Sequence, residues 1–395
     1  MTMDKPVILA GCRTPIGTFL GDFSALTAPQ LGAVAVRETV RRSGLSADYV
    51  DEVIMGNVLS AGLGQAPARQ AALTAGLLPK VSALTINKMC GSGLKAVMLA
   101  AQAIQLGQAN VVVAGGMESM SRAPHLIVGA RTGWKFGDQK IIDSMLHDGL
   151  ICAFDGCHMG NQAEHIARVK EINREDQDSY ANESQRRALA ATHSGQFKQE
   201  IVPVVVPIRD GTRIVSVDQG PRSDTSLEKL AKLKPTFERE GTVTAGNTSQ
   251  LSDGAAAVVV SSQRFAEKNG CQWLAQIVDY ATAGVEPQDV FIAPVFAIRS
   301  VLEKTGLGVT DIDLFELNEA FAAQTLACTR ALNLPHEKVN VHGGAIALGH
   351  PLGASGARVL VTLLYALQER DARRGLATLC LGGGNAVAMI VERTN

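Results

Sequence analysis

Net charge is almost absent. Lys and Arg total 37 and Asp and Glu total 38, which leaves −1 on 395 residues. Such a balance exerts no global pull on nucleic acid or on acidic membrane surfaces, so an anionic ligand has to be met by a local patch. No apolar run approaches the ~20 residues of a membrane span. The opening "MTMDKPVILAGCRTP" lacks a basic n-region, a long apolar core and a cleavage site. These absences predict a soluble cytoplasmic protein. Disulfide patterning is missing too. Seven cysteines (Cys12, Cys90, Cys152, Cys157, Cys271, Cys328 and Cys380) are odd in number and scattered, unlike the framework of a small secreted domain. There is no Walker loop, no G-x-S-x-G elbow and no low-complexity segment. "GSGLKA" (91–96) fits a relaxed dinucleotide-binding turn. That fingerprint needs an acid about 20 residues on, and none occurs between Gly91 and Met117, so NAD binding is discounted. Cys152, Cys157 and His158 lack the second ligand pair of a metal site.

What is present is a globular chain, 46% hydrophobic and 19% charged, longer than one ordinary domain. It repeats itself. "AVRETVRRSGLSADYVDEVIMGNV" (35–58) is answered by "AIRSVLEKTGLGVTDIDLFELNEA" (297–320), and Gly44 corresponds to Gly306. Farther on, the glycine-rich turn, helix and strand of 87–116 are answered by those of 340–384. The runs "VVVAGG" and "TLCLGGG" are continuously apolar, as in strands covered on both faces. The pattern predicts a duplicated α/β fold. A more charged, irregular region, roughly 121–250, reads as an insertion. It contains the helical pattern "NREDQDSYANESQRRALAA", with acids early and arginines late.

One stretch raises a chemical question. In "INKMCGSGLKA" (86–96), Cys90 stands at the mouth of a helix among small residues, which reads as clearance for a nucleophile. A thiolate there would be stabilised by the helix dipole and free N–H groups, which predicts a lowered pKa. The alternative is a small buried hydrophobe. In the second repeat, His350 occupies the equivalent glycine-rich turn, and two such turns can face one pocket. Cys380 ends a buried strand before Gly382, Gly383 and Gly384, whose backbone N–H groups can approach a ligand oxygen. Asn318, in "ELNEAFA", also ends a strand and offers two amide hydrogens.

The ordered set "RTPIG" (13–17), "GQAPARQAA", "NKMCGSGLKAV", "VAGGMESMS", "GTVTAGN", "NEAFA", "GGAIALGHPLGASGAR" and "CLGGGNA" spans nearly the whole chain. Through it the sequence resembles the thiolase family, acyl-CoA:acetyl-CoA acyltransferases. The resemblance implies a five-layered α/β/α/β/α fold with an inserted loop domain. Its first core half would hold 1–120 plus 251–271, its loop domain 121–250, and its second core half 272–395. It implies Cys90 as acyl-accepting nucleophile, His350 as its base and Cys380 as the second acid/base. Asn318 would orient a water in one oxyanion hole. The N–H groups of Cys90 and Gly382 would form the other. Leu150, His158, Met159, Phe237, Ala245, Ser249 and Phe321 would line the substrate channel. Arg222 and Lys229 would lie towards the nucleotide end, with Lys232 and Lys234 as further basic candidates.

The resemblance implies no cofactor. Acetyl-CoA, 3-ketoacyl-CoA and CoA would be substrates, and the stretch 121–138 would pair dimers into a homotetramer, with neither nucleic acid nor membrane as partner. Acetoacetyl-CoA formation and its reversal is the implied activity. The alternatives are a 3-ketoacyl-CoA thiolase of broader or longer chain length, and a non-catalytic acyl-CoA-binding protein. A decarboxylating or hydroxymethylglutaryl-type condensing enzyme would replace Cys380, which is retained. The chain departs from acetoacetyl-CoA-forming members at Cys157 (for tyrosine), at "VFIAP" (290–294, for Met-Gly-x-Gly-Pro) and at Asn385 (for glutamine).

Overall fold

The structure is a computed structural model and describes residues 4–394. The chain begins with strand β1 (Pro6–Arg13), the two-residue β2 (Gly17–Thr18), helix α1 (Ala28–Ser43), β3 (Glu52–Gly56), α2 (Pro67–Thr74), β4 (Ser82–Ile86), α3 (Ser92–Gln105) and β5 (Val111–Ser119). The segment leaving β5 carries the hairpin β6 (His125–Ile127) and β7 (Ile141–Asp143), then α4 (Met159–Val169) and α5 (Arg174–Ser194). A second hairpin, β8 (Val204–Ile208) and β9 (Gly211–Val215), and the short α6 (Leu227–Ala231) complete it. Strand β10 (Ser252–Ser262) returns between β1 and β5 and is followed by α7 (Gln263–Lys268) and β11 (Ala275–Gly284). Then come α8 (Ala293–Thr305), β12 (Leu314–Leu317), α9 (Ala322–Leu332), α10 (Ala345–Leu348), α11 (Leu352–Glu369), β13 (Arg374–Leu381) and β14 (Asn385–Glu392).

The repeat in the sequence is a repeat in space. Helices α1 and α8 both carry proline in their first turn and both end on a left-handed glycine, Gly44 at φ 72° and Gly306 at φ 67°. Thr27 adds a capping box with Gln30 at the start of α1. The strands form two half-sheets, β1-β10-β5-β3-β4 and β11-β14-β13-β12. Among the described residues the two half-sheets are hydrogen-bonded to each other where Val7 and Ile8 of β1 pair with Gln276 and Ala275 of β11.

Strand residues alternate between two separate cores. In β10, Ala256, Val258 and Val260 face inward with α3 and α11, while Ala255, Ala257 and Val259 face outward to α1 and α2. In β14, Val387, Met389 and Val391 join the inner core, and Ala386, Ala388 and Ile390 pack with α8. The order is therefore helices, half-sheet, the α3–α11 pair, half-sheet, helices. A helix covered on all sides must be apolar all round. Helix α11 is buried along almost its whole length.

Gly93, one of the small residues read as clearance for a nucleophile, has another task, which it shares with Gly116 and Gly356. A Cβ on Gly93 would stand 2.6 Å from the Ala357 backbone nitrogen, and one on Gly356 would overlap the Leu94 nitrogen. A Cβ on Gly116 of β5 would overlap the Gly353 carbonyl. These glycines let α3, α11 and β5 touch backbone to backbone, which brings the starts of the two central helices together. Gly356→Ala tests this. Alanine gains about 1 kcal/mol of helix propensity, but overpacking against immovable backbone costs about 3 kcal/mol. Denaturant unfolding should show a net loss of roughly 2 kcal/mol, and unchanged or raised stability would contradict the packing account.

Candidate active site

The turn that carries Cys90 is strained and braced. Met89 sits in the left-handed region at φ 47°, where a non-glycine residue is costly. Asn87 Oδ1 accepts the Met89 N–H at 3.0 Å. Ser92 Oγ accepts the Lys88 N–H at 2.8 Å and donates to the Met89 carbonyl at 2.6 Å. Gly91 caps α3, and any side chain there would collide with Leu381 at the end of β13. The turn thus lies directly against the strand end that carries Cys380.

The Cys90 thiol is not acidified. Burial pushes its pKa up to about 11. The N–H groups of Gly382 and of Cys90 itself pull the other way, and the charge of Glu118 adds to the rise. The lowered pKa expected from a helix N-terminus is corrected here. Cys90 lies outside the first turn, which begins at Ser92, and desolvation outweighs the N–H groups that reach its sulfur.

His350 follows Gly349, whose φ of 111° only glycine takes comfortably, and precedes α11. Its N–H donates to the Gln250 carbonyl at 3.0 Å. Nδ1 lies 2.6 Å from Ser355 Oγ, and Ser355 donates its one hydroxyl proton to the Pro351 carbonyl at 2.9 Å. Nδ1 is therefore the protonated nitrogen, and the Nε2 lone pair accepts from Asn318 Nδ2 at 3.4 Å. Burial, and then the charge of Arg358, hold the imidazole down to about 3, so it is neutral. Asn318 is itself fully buried and pinned by its N–H to the Thr378 carbonyl at 3.0 Å.

Cys380 is 2% exposed, and burial holds its thiol well above the ordinary range, with the nearby Cys90 adding to the rise. After it, Gly382–Gly384 form the tight link from β13 to β14. Gly383 and Gly384 take φ of 86° and 83°. A Cβ on Gly384 would also overlap the Val285 carbonyl.

These elements enclose a cavity of about 250 Å³. Cys90, His350, Cys380 and Gly382 line it, as do Leu150, His158, Met159, Phe237, Ser249 and Phe321. Asn318 does not line the cavity and touches a lining residue, His350. His158 caps α4, accepting the Gly160 N–H on Nδ1 at 2.9 Å, and stacks on Phe237 at 4.8 Å. Phe237, Phe321 and Phe291 continue as an edge-to-face aromatic wall. Ala245, Arg222 and Lys229 do not line this cavity. They gather in an adjoining one of about 140 Å³, which shares Gln250 with the first. Lys229 is paired there with Asp224 at 2.9 Å. Lys232 and Lys234 line neither cavity.

Sequence reasoning missed three residues. Ser355, which fixes the tautomer of His350, is signalled only by its position five residues on. Gln250 spans both cavities and holds the Gly220, Ile346 and Ala347 carbonyls through Nε2. Glu118 is the lone acid at the end of an apolar strand. Among the described residues no group of three His, Cys, Asp or Glu is placed to hold a metal ion. No described helix is long and apolar enough to cross a membrane.

The neutral state of the site is measurable. Iodoacetamide reacts with thiolate, so labelling of Cys90 in the free protein, followed by peptide mass spectrometry, should rise about tenfold per pH unit through the alkaline range. A plateau at neutral pH would show that the thiol is acidified after all.

Comparison with known proteins shows the family. The model of the thiolase N-terminal domain matches residues 6–264, and that of the thiolase C-terminal domain matches 271–393. The chain is 53% identical over 392 residues to an acetyl-CoA acetyltransferase of Pseudomonas aeruginosa, covering 99% of this chain and 100% of that one. It is 52% identical over 394 residues to one from Escherichia coli, covering 100% of both. The crystal structure of the Bacillus anthracis acetyl-CoA acetyltransferase superposes with a TM-score of 0.98 at 43% identity, again over 100% of both chains. With the duplicated layers, both domains matched end to end and relatives at half identity over full length, the chain belongs to the thiolase family.

Proposed function

We propose that this chain is an acetyl-CoA C-acetyltransferase. It condenses two acetyl-CoA to acetoacetyl-CoA and CoA, and runs the reverse thiolysis, by a ping-pong route through an acetyl thioester on Cys90. The observation that carries the reading is one apolar cavity lined by two thiols, a neutral imidazole and the Gly382 backbone. Relatives at 53% and 52% identity bearing that name support the choice of acyl group.

The residues divide the work by chemistry. His350 Nε2 accepts the Cys90 proton as the sulfur attacks the thioester carbonyl. The N–H groups of Cys90 and Gly382 bear on that sulfur and stabilise the oxyanion formed beside it. Cys380 gives its proton to the departing CoA sulfur and becomes a thiolate of high basicity. It then removes the α-proton of the second acetyl-CoA, and the resulting carbanion attacks the acetyl group on Cys90. Cys90 leaves as thiolate and recovers its proton from the His350 imidazolium, which closes the balance. The aromatic wall of Phe237, Phe291 and Phe321 suits the thioester arm. Arg222, in the adjoining cavity, suits the nucleotide end. The projecting β6–β7 segment leaves Trp134 half-exposed and Phe136 fully exposed. That supports a tetramer assembled through it. Seven free cysteines suit the reducing cytoplasm.

Intact-mass measurement after mixing with acetyl-CoA tests this. The wild-type chain should gain one acetyl group. Cys90→Ser should gain none at that position. Cys380→Ser should still be acetylated, though more slowly for want of the acid that protonates the departing sulfur, while condensation falls by about 10²–10⁴. An adduct that survives in Cys90→Ser would remove the proposed nucleophile.

A further inference from the structure

We propose that Glu118 is a positioning residue for the acyl transfer, its carboxylate fixing the first turn of α11, and with it His350, against the loop that packs on Cys90. Glu118 lies near the end of β5, fully buried. Oε1 accepts Asn57 Nδ2 at 2.8 Å and the Leu59 N–H at 3.2 Å. Oε2 accepts the Val58 N–H at 3.0 Å and the Gly353 N–H at 2.9 Å. One side chain thus holds two bodies. Gly353 is the second residue of α11, three after His350. Val58 and Leu59 belong to the small apolar cluster, with Leu352, against which Met89, Cys90 and Leu150 pack.

Only a carboxylate serves four donors. An amide of the same shape offers one acceptor oxygen and sets its own N–H groups against the backbone donors. The donors and the start of α11 favour the charge. Burial outweighs them and pushes the carboxyl up to about 7, and Asp253 of β10 adds to the rise. The Cys90 thiol feels the Glu118 charge, and His350 at the start of α11 is neutral through burial. As pH falls through neutrality, a proton on either oxygen removes an acceptor site, the α11 turn loosens, and turnover falls without loss of substrate binding.

The inference rests on the acyl-transfer reading. It is tested by thiolysis of acetoacetyl-CoA with CoA, measured across the neutral pH range for wild type, Glu118→Gln and Asn57→Ala. Wild-type kcat should decline on the acid side of neutrality. Glu118→Gln should lower kcat about 10²-fold and leave KM within about twofold. Its kcat should also be flat over the pH range where wild type declines. Asn57→Ala, which keeps the carboxylate and removes one donor, should lower kcat about threefold to tenfold at unchanged KM. It decides the matter if the Gln variant does not fold. Wild-type kcat in either variant, a change confined to KM, or an acid limb that persists in Glu118→Gln would each overturn the proposal. A wild-type chain inactive in thiolysis would overturn the acyl-transfer reading itself, and this proposal with it.

Discussion

Backbone contact between the two central helices is the constraint on which the site depends. Helices α3 and α11 come from opposite repeats, and each starts immediately after a glycine-rich turn. Side chains between them would hold their axes 8–10 Å apart or more. Gly93 against Ala357 and Gly356 against Leu94 remove those side chains at the point of crossing. The two turns therefore meet, and residues far apart in the chain, Cys90 and His350, line one wall. The same closeness recurs between the backbones of Gly116 and Gly353, while Gly91 makes room for the Leu381 side chain. Glycine inside a helix or a strand costs stability. The duplicated core offsets that cost with two sheets and a central helix pair that are almost wholly buried.

Burial decides the electrostatics. Cys90, Cys380 and His350 are each shifted towards the uncharged form, the thiols upward and the imidazole downward. The resting site is therefore two thiols beside a neutral base, and not a thiolate–imidazolium pair. On the acyl-transfer reading this suits a reaction whose charge develops on the substrate. Fixed N–H donors need no reorganisation when an oxyanion forms, and an apolar wall strengthens them. The arrangement also explains why so much hydrogen bonding is spent on turns. Ser92, Ser355, Gln250 and Glu118 touch backbone, and each holds a loop whose geometry the chemistry uses.

Much of this is legible in the amino-acid sequence. The paired Gly-Leu turns announced the duplication because helix ends need left-handed residues, and only the repeat explains two at matching places. Continuous apolar runs identified β5 and β13 as strands covered on both faces. The resemblance to the thiolase family implied that Cys90, His350, Cys380 and Gly382 surround one pocket. Other features were not legible. The sequence shows Gly91 and Gly93 but not what they touch, so their role in packing was mistaken for clearance around a nucleophile. The pKa of Cys90 depends on enclosure by residues from both halves, and local helix chemistry pointed the wrong way. Ala245, Arg222 and Lys229 separated into an adjoining cavity because Gln250 stands between, and no spacing rule marks Gln250.

A crystal structure of the protein after exposure to acetyl-CoA tests the convergence most directly. The account predicts continuous density from Cys90 Sγ to an acetyl group whose oxygen faces the N–H groups of Cys90 and Gly382. His350 and Cys380 should flank it, and the pantetheine arm should run past His158 and Phe237 towards Arg222. An acetyl group on another cysteine, or CoA bound in a cleft that none of these side chains lines, would contradict it.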